Sequence, residues 1–365
     1  MARLPVREEI AAAEPYGAPQ PPVPVRLNVN ENPYAPPPQV VESIIRRVRR
    51  AAGQLNRYPD RDFGELRSAL TDYLIRESCV ADLRPEMIWA ANGSNEVMLH
   101  ILQAFGGPGR AVSAFEPTYS MYPEYARDTF TDWRPGRLEA DFTLDAGHAI
   151  GHVKRAGPTV VLLASPNNPT GRSLPLTTID AIARHVEGQA IVVVDEAYGE
   201  FRRPGRPSAL ELLSQHRHLA VVRTMSKAFA AAGARLGYLA GDPELVGYLR
   251  TVRLPYHLSS ITQATALAAL DHAGLMLGAV AELRERRDRL AAALAAMGFE
   301  VVESDANFVM FGRLADRHGV WERLLARGVL IREVGPPGWL RVSVGAEAET
   351  LAFLRALAEI RKELE

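Results

Sequence analysis

Lys227 lies just after the apolar run Leu219-Ala220-Val221-Val222, with hydroxyls nearby, in Arg223-Thr224-Met225-Ser226-Lys227-Ala228-Phe229. Arg235 follows in Gly233-Ala234-Arg235-Leu236-Gly237. An amine at a strand end can form a Schiff base with an aldehyde. The Thr224 and Ser226 hydroxyls and the Arg235 guanidinium can hold a phosphate. A Ser-Lys pair on its own is usually a solvated surface feature, so this chemistry depends on what else the chain supplies.

Asp195 directly follows Ile191-Val192-Val193-Val194 and opens Asp195-Glu196-Ala197-Tyr198. A carboxylate at the end of a buried run is costly unless it is paired. A protonated ring nitrogen would compensate it: unit charges about 4 Å apart at an effective dielectric of ~20 gain roughly 4 kcal/mol. That could raise the pKa of the base by up to about three units before desolvation is subtracted. The plainer reading is an aspartate capping the next helix. In Ser165-Pro166-Asn167-Asn168-Pro169-Thr170-Gly171 the prolines stiffen a loop and Gly171 permits a sharp turn, which makes Asn168 a preorganised donor or an ordinary turn residue. Asn92-Gly93-Ser94-Asn95-Glu96 stands before a helical run. Its free N–H groups suit a phosphate, or the stretch is a simple N-cap. Tyr119, in Pro117-Thr118-Tyr119-Ser120-Met121-Tyr122, could stack on a planar ligand or pack in the core.

These residues need a scaffold that presents them together. From about 40 to 253, helical segments alternate with the runs Ile88–Ala91, Ala111–Ala114, Val160–Leu163, Ile191–Val194 and Leu219–Val222. Near-continuous apolarity over four or five residues predicts strands buried on both faces, and the alternation predicts an α/β layered, mostly parallel sheet. Such sheets bind ligands beyond the carboxyl ends of their strands. Gly106-Gly107-Pro108-Gly109 reads as a turn between a helix and a strand. Residues 15–38 are proline-rich and predict an extended arm or a disordered leader, with Val23, Val25 and Leu27 favouring docking from Pro24 onward. A long helix is expected across 277–297, stopped by Gly298. Beyond it, strand-like Asn307–Phe311, a helix through Trp321–Leu325, strand-like Val329–Ile331 and Leu340–Val344, and a last helix over 347–364 predict a smaller α+β domain. The expected division is an arm (1–30), a large cofactor-binding domain (31–260) and a small C-terminal domain (261–365).

Composition narrows the function classes. The 365 residues are 47% hydrophobic and 23% charged, with a net charge of −1, so nothing pulls the chain toward nucleic acid or an anionic membrane. There is no long apolar segment and no apolar signal-peptide core at the start. Cys79 is the only cysteine, which rules out an intrachain disulfide and a multi-cysteine zinc site and fits a reducing cytoplasm. His148 with His152, and His216 with His218, lack the acidic pattern of zinc hydrolases, so no metal is expected.

Taken in order, the motifs resemble the fold-type I pyridoxal-phosphate aminotransferases and, within them, the histidinol-phosphate aminotransferases. The resemblance runs over nearly the whole chain. It includes Leu27-Asn28-Val29-Asn30-Glu31-Asn32-Pro33, Arg57-Tyr58-Pro59-Asp60, Ala91–Glu96, Ser165–Gly171, Val194–Tyr198, Arg223–Phe229 and Arg253-Leu254-Pro255-Tyr256-His257-Leu258-Ser259-Ser260. It implies pyridoxal 5'-phosphate as cofactor, with Lys227 as the Schiff-base lysine and acid/base and Asp195 on the pyridinium nitrogen. Asn168 and Tyr198 would bond the ring oxygen, and Tyr119 would stack on the ring. Ser94, Asn95, Thr224, Ser226 and Arg235 would hold the phosphate. Tyr58 would reach that phosphate from the other subunit of a homodimer. Arg341, in Trp339-Leu340-Arg341-Val342, would grip a substrate carboxylate or phosphate, with Arg332 as a second candidate. Tyr16 and Tyr256 match aromatic positions of the substrate pocket.

The implied activity is a ping-pong exchange between L-histidinol phosphate and 2-oxoglutarate. Aromatic amino-acid aminotransferases, biosynthetic paralogues and a phosphothreonine decarboxylase share most of these motifs. A ligand-sensing regulator of the same fold would need an output domain, for which the segment before residue 30 is too short and too proline-rich. Ser120-Met121-Tyr122 stands where the resemblance leads one to expect Ser-Met-His, and Val342–Ala346 also departs from the pattern.

Overall fold

The computed structural model describes residues 4–11 and 13–364; the first three residues of the expected arm lie outside it, as do Ala12 and Glu365. All five apolar runs form strands of one sheet. Among the described residues this sheet has seven strands, in the order Ile88–Ala91, Gly237–Gly241, Leu219–Thr224, Ile191–Asp195, Val160–Ala164, Ala111–Ser113, Asp132–Trp133. Gly237–Gly241 runs antiparallel to both of its neighbours, and the other adjacent pairs are parallel. Two of these strands have no counterpart among the expected runs. Gly237-Tyr238-Leu239-Ala240-Gly241 is bounded by glycines and reads locally as a loop, yet all five residues are buried. Asp132–Trp133 is a two-residue edge strand, too short to leave a periodic signal.

Shared direction brings the carboxyl ends of Ile88–Ala91, Val160–Ala164, Ile191–Asp195 and Leu219–Thr224 to one edge of the sheet. Each of the four candidate loops therefore opens on the same side. Valines and leucines dominate the middle strands because helices cover both faces and nearly every strand position there is shielded from water, Ile191 being half-buried. Val192, Val193, Val194, Val221 and Val222 are fully buried.

The long helix runs from Ala273 to Ala296, four residues earlier at its start than expected, because buried Met276 extends its apolar stripe toward the N-terminus. Gly298, at φ +85°, adopts the left-handed conformation that ends it. Beyond it Glu300–Val301, Phe308–Gly312 and Trp339–Ser343 form a small antiparallel sheet backed by the helices Arg317–Ala326 and Glu347–Leu364.

The expected strand at 329–331 does not join this small sheet. Val329–Leu330 instead pairs in parallel with Val25–Arg26 of the arm. The Leu27 amide continues the ladder to the Leu330 carbonyl (2.7 Å), and the Ser343 amide donates to the Leu27 carbonyl (2.9 Å). The proline-rich stretch is thus ordered against the body of its own chain from Pro24 onward, and it leads residues 28–31 to the carboxyl edge of the large sheet. No single helix among the described residues is long and apolar enough to cross a membrane.

Candidate active site

A cavity of about 830 Å³ opens at that edge. Tyr16, Ser94, Asn95, Tyr119, Asn168, Asp195, Tyr198, Thr224, Ser226, Lys227, Arg235, Arg332 and Arg341 all line it. Tyr58 and Tyr256 are absent from its lining. They stack on each other at the surface, ring centroids 4.4 Å apart, and are 79% and 40% exposed.

One end of the cavity is built for an anion. The helix Ser94–Phe105 begins there, and its first N–H groups have no acceptor in the preceding turn. The Glu96 carboxylate does not occupy that position; it folds back onto the Asn92 amide (2.6 Å) and the Asn92 side chain (2.8 Å). The Thr224 and Ser226 hydroxyls lie 3.0 Å apart beside it. Two glycines make the cradle this tight. A Cβ on Gly237 would stand 2.1 Å from the Ser94 nitrogen, and one on Gly93 would stand 2.6 Å from Nη2 of Arg235. Arg235 has no carboxylate partner among the described residues, and its Nη1 donates to the Ala232 carbonyl (3.2 Å).

The opposite charge sits at the end of Ile191–Asp195. Asp195 is 7% exposed, and burial pushes its carboxyl up to about 6. Its partners are neutral: Tyr122 Oη donates to Oδ2 at 2.8 Å and the Ala197 amide donates to Oδ1 at 3.1 Å. Asp195 is thus anchored on both oxygens and has no cation among the described residues. The loop it opens is fixed from below by a buried ion cluster. Arg223 reaches Glu196 (2.8 Å), Glu200 (3.1 Å) and Glu77 (3.2 Å), and Arg202 reaches Glu196 (2.9 Å). Burial would raise the Glu196 carboxyl, but Arg202 and Arg223 draw it down to about 2.

Lys227 projects between these two poles. Its Nζ donates to the Val29 carbonyl at 2.9 Å. Burial first and then the Arg341 charge lower the amine to about 8; Glu31 pulls the other way, and Arg235 adds a lesser lowering effect. On the walls, Tyr198 Oη accepts from Asn30 Nδ2 (2.9 Å) and Asn168 Nδ2 (3.4 Å). Burial raises the Tyr198 phenol, so its own proton stays in place to donate. Tyr119 presents its ring to the cavity and meets Tyr122 edge-on, centroids 5.6 Å apart.

Arg341 closes the far side. It is 5% exposed, donates to the Asn28 carbonyl (2.7 Å) and the Asn168 side chain, and lies 5.0 Å over the Phe308 ring. Its Nε has no partner, and no carboxylate pairs with it among the described residues. Burial lowers its guanidinium to about 10. Arg332 is its backbone partner, with bonds of 2.9 and 3.0 Å, so both side chains serve the same wall. Tyr16 covers the mouth, its hydroxyl 2.9 Å from Ser120 Oγ.

A buried lone acid, a buried lone guanidinium, a lysine of lowered basicity and an anion cradle are arranged around one space. Residues 22–357 match the family model of class I and II aminotransferases. The chain belongs to that family. Among class I and II aminotransferases it is 56% identical over 354 residues to the histidinol-phosphate aminotransferase of Thermobifida fusca, covering 97% of this chain and 95% of that one. It is 52% identical over 380 residues to the enzyme of that name from Bifidobacterium longum, covering 100% and 98%. The structure of the Sinorhizobium meliloti histidinol-phosphate aminotransferase in complex with pyridoxal-5'-phosphate superposes with a TM-score of 0.84 at 25% identity, covering 94% and 92%. The fold is that of the fold-type I aminotransferases.

The residues here fit pyridoxal phosphate as this aminotransferase's cofactor. The cradle would take its phosphate, the uncompensated Asp195 its ring nitrogen, and the Tyr198 proton its ring oxygen. Arg341, with its orphaned Nε, lines the far side of the same cavity.

Tyr122, Asn28, Asn30 and Ser343 belong to this site although the sequence analysis assigns them no role. Ser343 lies two residues beyond Arg341 on the same strand, so the period-two rule puts it on the same face. Asn28 and Asn30 sit in Leu27–Pro33, a segment that carries the family resemblance but no local signal of chemistry. Nothing in the local sequence announces that Tyr122 reaches Asp195.

Proposed function

We propose that this chain transfers the amino group of L-histidinol phosphate to 2-oxoglutarate, giving imidazole-acetol phosphate and L-glutamate, in the cytoplasm and as a homodimer. The observation that carries the reading is Arg341, a buried guanidinium with a free Nε and no carboxylate of its own. Such a group gains most from a phosphate or carboxylate, which a planar fork binds through two bonds. Arg332 beside it adds a second positive charge, which suits a phosphate monoester. The high identity to relatives named for this activity points the same way.

When bound, pyridoxal phosphate supplies a carbonyl carbon that takes up the amino group and a ring that accepts electrons from the substrate carbon. Lys227 would hold that carbonyl, and its amine, seated 2.9 Å from the Val29 carbonyl, would take up and return the proton at the substrate carbon. An amine near 8 can do both close to neutral pH. Asp195, held in place by Tyr122 and the Ala197 amide, would keep a proton on the ring nitrogen. Tyr198 and Asn168 would hold the ring oxygen, and Tyr119 would cover the ring face. Tyr16 lies over the entrance. In the dimer, Tyr58 would reach the cradle of the partner subunit and Tyr256 its substrate pocket, which accounts for two stacked aromatic rings left at the surface of one chain. The division into an arm (1–30), a large domain (31–260) and a small domain (261–365) belongs to the same proposal.

Glutamate formation from 2-oxoglutarate, measured with histidinol phosphate and with phenylalanine as donor, tests the assignment. Turnover of histidinol phosphate well above phenylalanine is expected. Turnover of phenylalanine alone would transfer the assignment to an aromatic amino-acid aminotransferase.

A further inference from the structure

Three successive carbonyls of the arm each accept a bond from a different part of the site. Asn28 C=O takes Arg341 Nη2 (2.7 Å), Val29 C=O takes Lys227 Nζ (2.9 Å), and Asn30 C=O takes Asn307 Nδ2 (3.0 Å). The middle peptide is also held from its other side. The Asn30 amide donates to Ser343 Oγ at 3.0 Å, and that hydroxyl donates onward to Asn30 Oδ1 at 2.9 Å. Asn30 Nδ2 then donates to Tyr198 Oη at 2.9 Å. Asn30 and Ser343 are 2% and 3% exposed, and Asn30 sits at φ +56°, a left-handed conformation that few residues other than glycine adopt.

A trans peptide is planar, with its C=O and N–H pointing in opposite directions. Fixing the Asn30 N–H on Ser343 therefore fixes the direction of the Val29 carbonyl, whose acceptor lone pairs face Lys227. Satisfying buried polar groups would explain the Asn30–Ser343 ring by itself. It does not explain why the peptide so clamped is the one that receives the amine, nor why the same asparagine also holds the Tyr198 hydroxyl.

We propose that Ser343 and Asn30 are positioning residues for Lys227, fixing the Val29–Asn30 peptide so that its carbonyl docks the lysine amine whenever that amine is not joined to the cofactor. The proposal rests on the functional reading above in one respect, that Lys227 is the reacting amine. The docked amine keeps one defined position through the proton transfer instead of searching among rotamers, and proton transfer demands such a position. The clamp also sets the balance of charge at the amine. A carbonyl aimed at Nζ favours its protonated form, alongside Glu31 and against Arg341 and Arg235, the other charged groups that act on it.

The chain has three lysines, Lys154, Lys227 and Lys362, so ¹³Cε-lysine NMR of the cofactor-free protein can follow each titration separately. Ser343→Ala is expected to lower the Lys227 midpoint by about half a unit or more and to leave the other two unchanged. Ser343→Thr keeps the hydroxyl and is expected to restore it. Asn30→Gly tolerates the left-handed backbone and removes only the side chain; it is expected to shift Lys227 in the same direction by less. In the loaded enzyme, Ser343→Ala is expected to slow the single-turnover reaction with the donor about tenfold, with KM changed by no more than about twofold. A Lys227 midpoint that matches the wild type in both Ser343→Ala and Asn30→Gly overturns the proposal. A wild-type protein that fails to turn over any donor would remove the functional reading and leave the NMR result standing by itself.

Discussion

Asp195→Asn should make the cofactor-free protein more stable and the loaded protein less so. In the empty site Asp195 is buried with two neutral donors and no cation, and its carboxyl is raised from 3.8 to about 6. A folded-state pKa above the unfolded value means that the folded chain binds the proton more tightly. The group therefore costs no stability below the unfolded value, and the cost builds as pH rises from about 4 to about 6. About two pKa units correspond to roughly 3 kcal/mol above pH 6. Asparagine removes the charge and keeps the shape. Its carbonyl can face the Ala197 amide and its NH₂ can face Tyr122 Oη, because a phenol both donates and accepts. Urea unfolding of the cofactor-free proteins at pH 8 should show Asp195→Asn ahead by up to about 3 kcal/mol, with the advantage vanishing near pH 4. Adding pyridoxal phosphate should reverse the order, since only the aspartate gains a cationic ring partner. A cofactor-free Asp195→Asn protein that is less stable at pH 8, or an advantage that persists unchanged at pH 4, would refute the account of Asp195 as a carboxylate held ready for a ligand's charge.

Arg341→Met removes the anion clamp and keeps an apolar stem; the KM for the phosphorylated donor should rise about 10²-fold or more, the worth of a lost buried charge-assisted contact, while cofactor affinity changes little in equilibrium dialysis. Tyr122→Phe deletes a donor that lowers the Asp195 carboxyl, so the acid limb of cofactor affinity should move to higher pH, and an unmoved limb would show that Tyr122 only fills space. Gly237→Ala sets a methyl group 2.1 Å from the Ser94 backbone nitrogen and should lower both the melting temperature and the affinity for inorganic phosphate, at a cost of about 1–3 kcal/mol.

The residues that line the cavity were readable because they sit at or just past strand ends, where a buried apolar run gives way to polar residues. Asp195, Lys227 with its hydroxyls, and Ser94–Asn95 all carry that signature. The parallel order of the strands then brings them to one edge without any further information from the sequence. Gly237–Gly241 escaped because its burial is set by the neighbouring backbone and its residues carry no strand pattern of their own. Tyr122 escaped for a related reason: it bonds to Asp195 across 73 residues, and a phenol in a helix looks the same whether it meets a carboxylate or a leucine. Tyr58 and Tyr256 read as site residues through resemblance, and one chain by itself presents them to solvent.

The bonds between Asn30 and Ser343 span 313 residues, from near the beginning of the chain to its last strand. During synthesis the arm emerges long before the strand Trp339–Ser343 that receives it. Contacts of that separation form late, after the loop between them has closed. A nascent chain can therefore fold its central sheet, and with it the phosphate cradle and Asp195, before the carbonyl that docks Lys227 is in place. On the positioning proposed for Lys227, its amine would acquire a fixed position only once translation has delivered Trp339–Ser343, so a chain truncated before residue 339 would carry the lysine without the clamp on its dock.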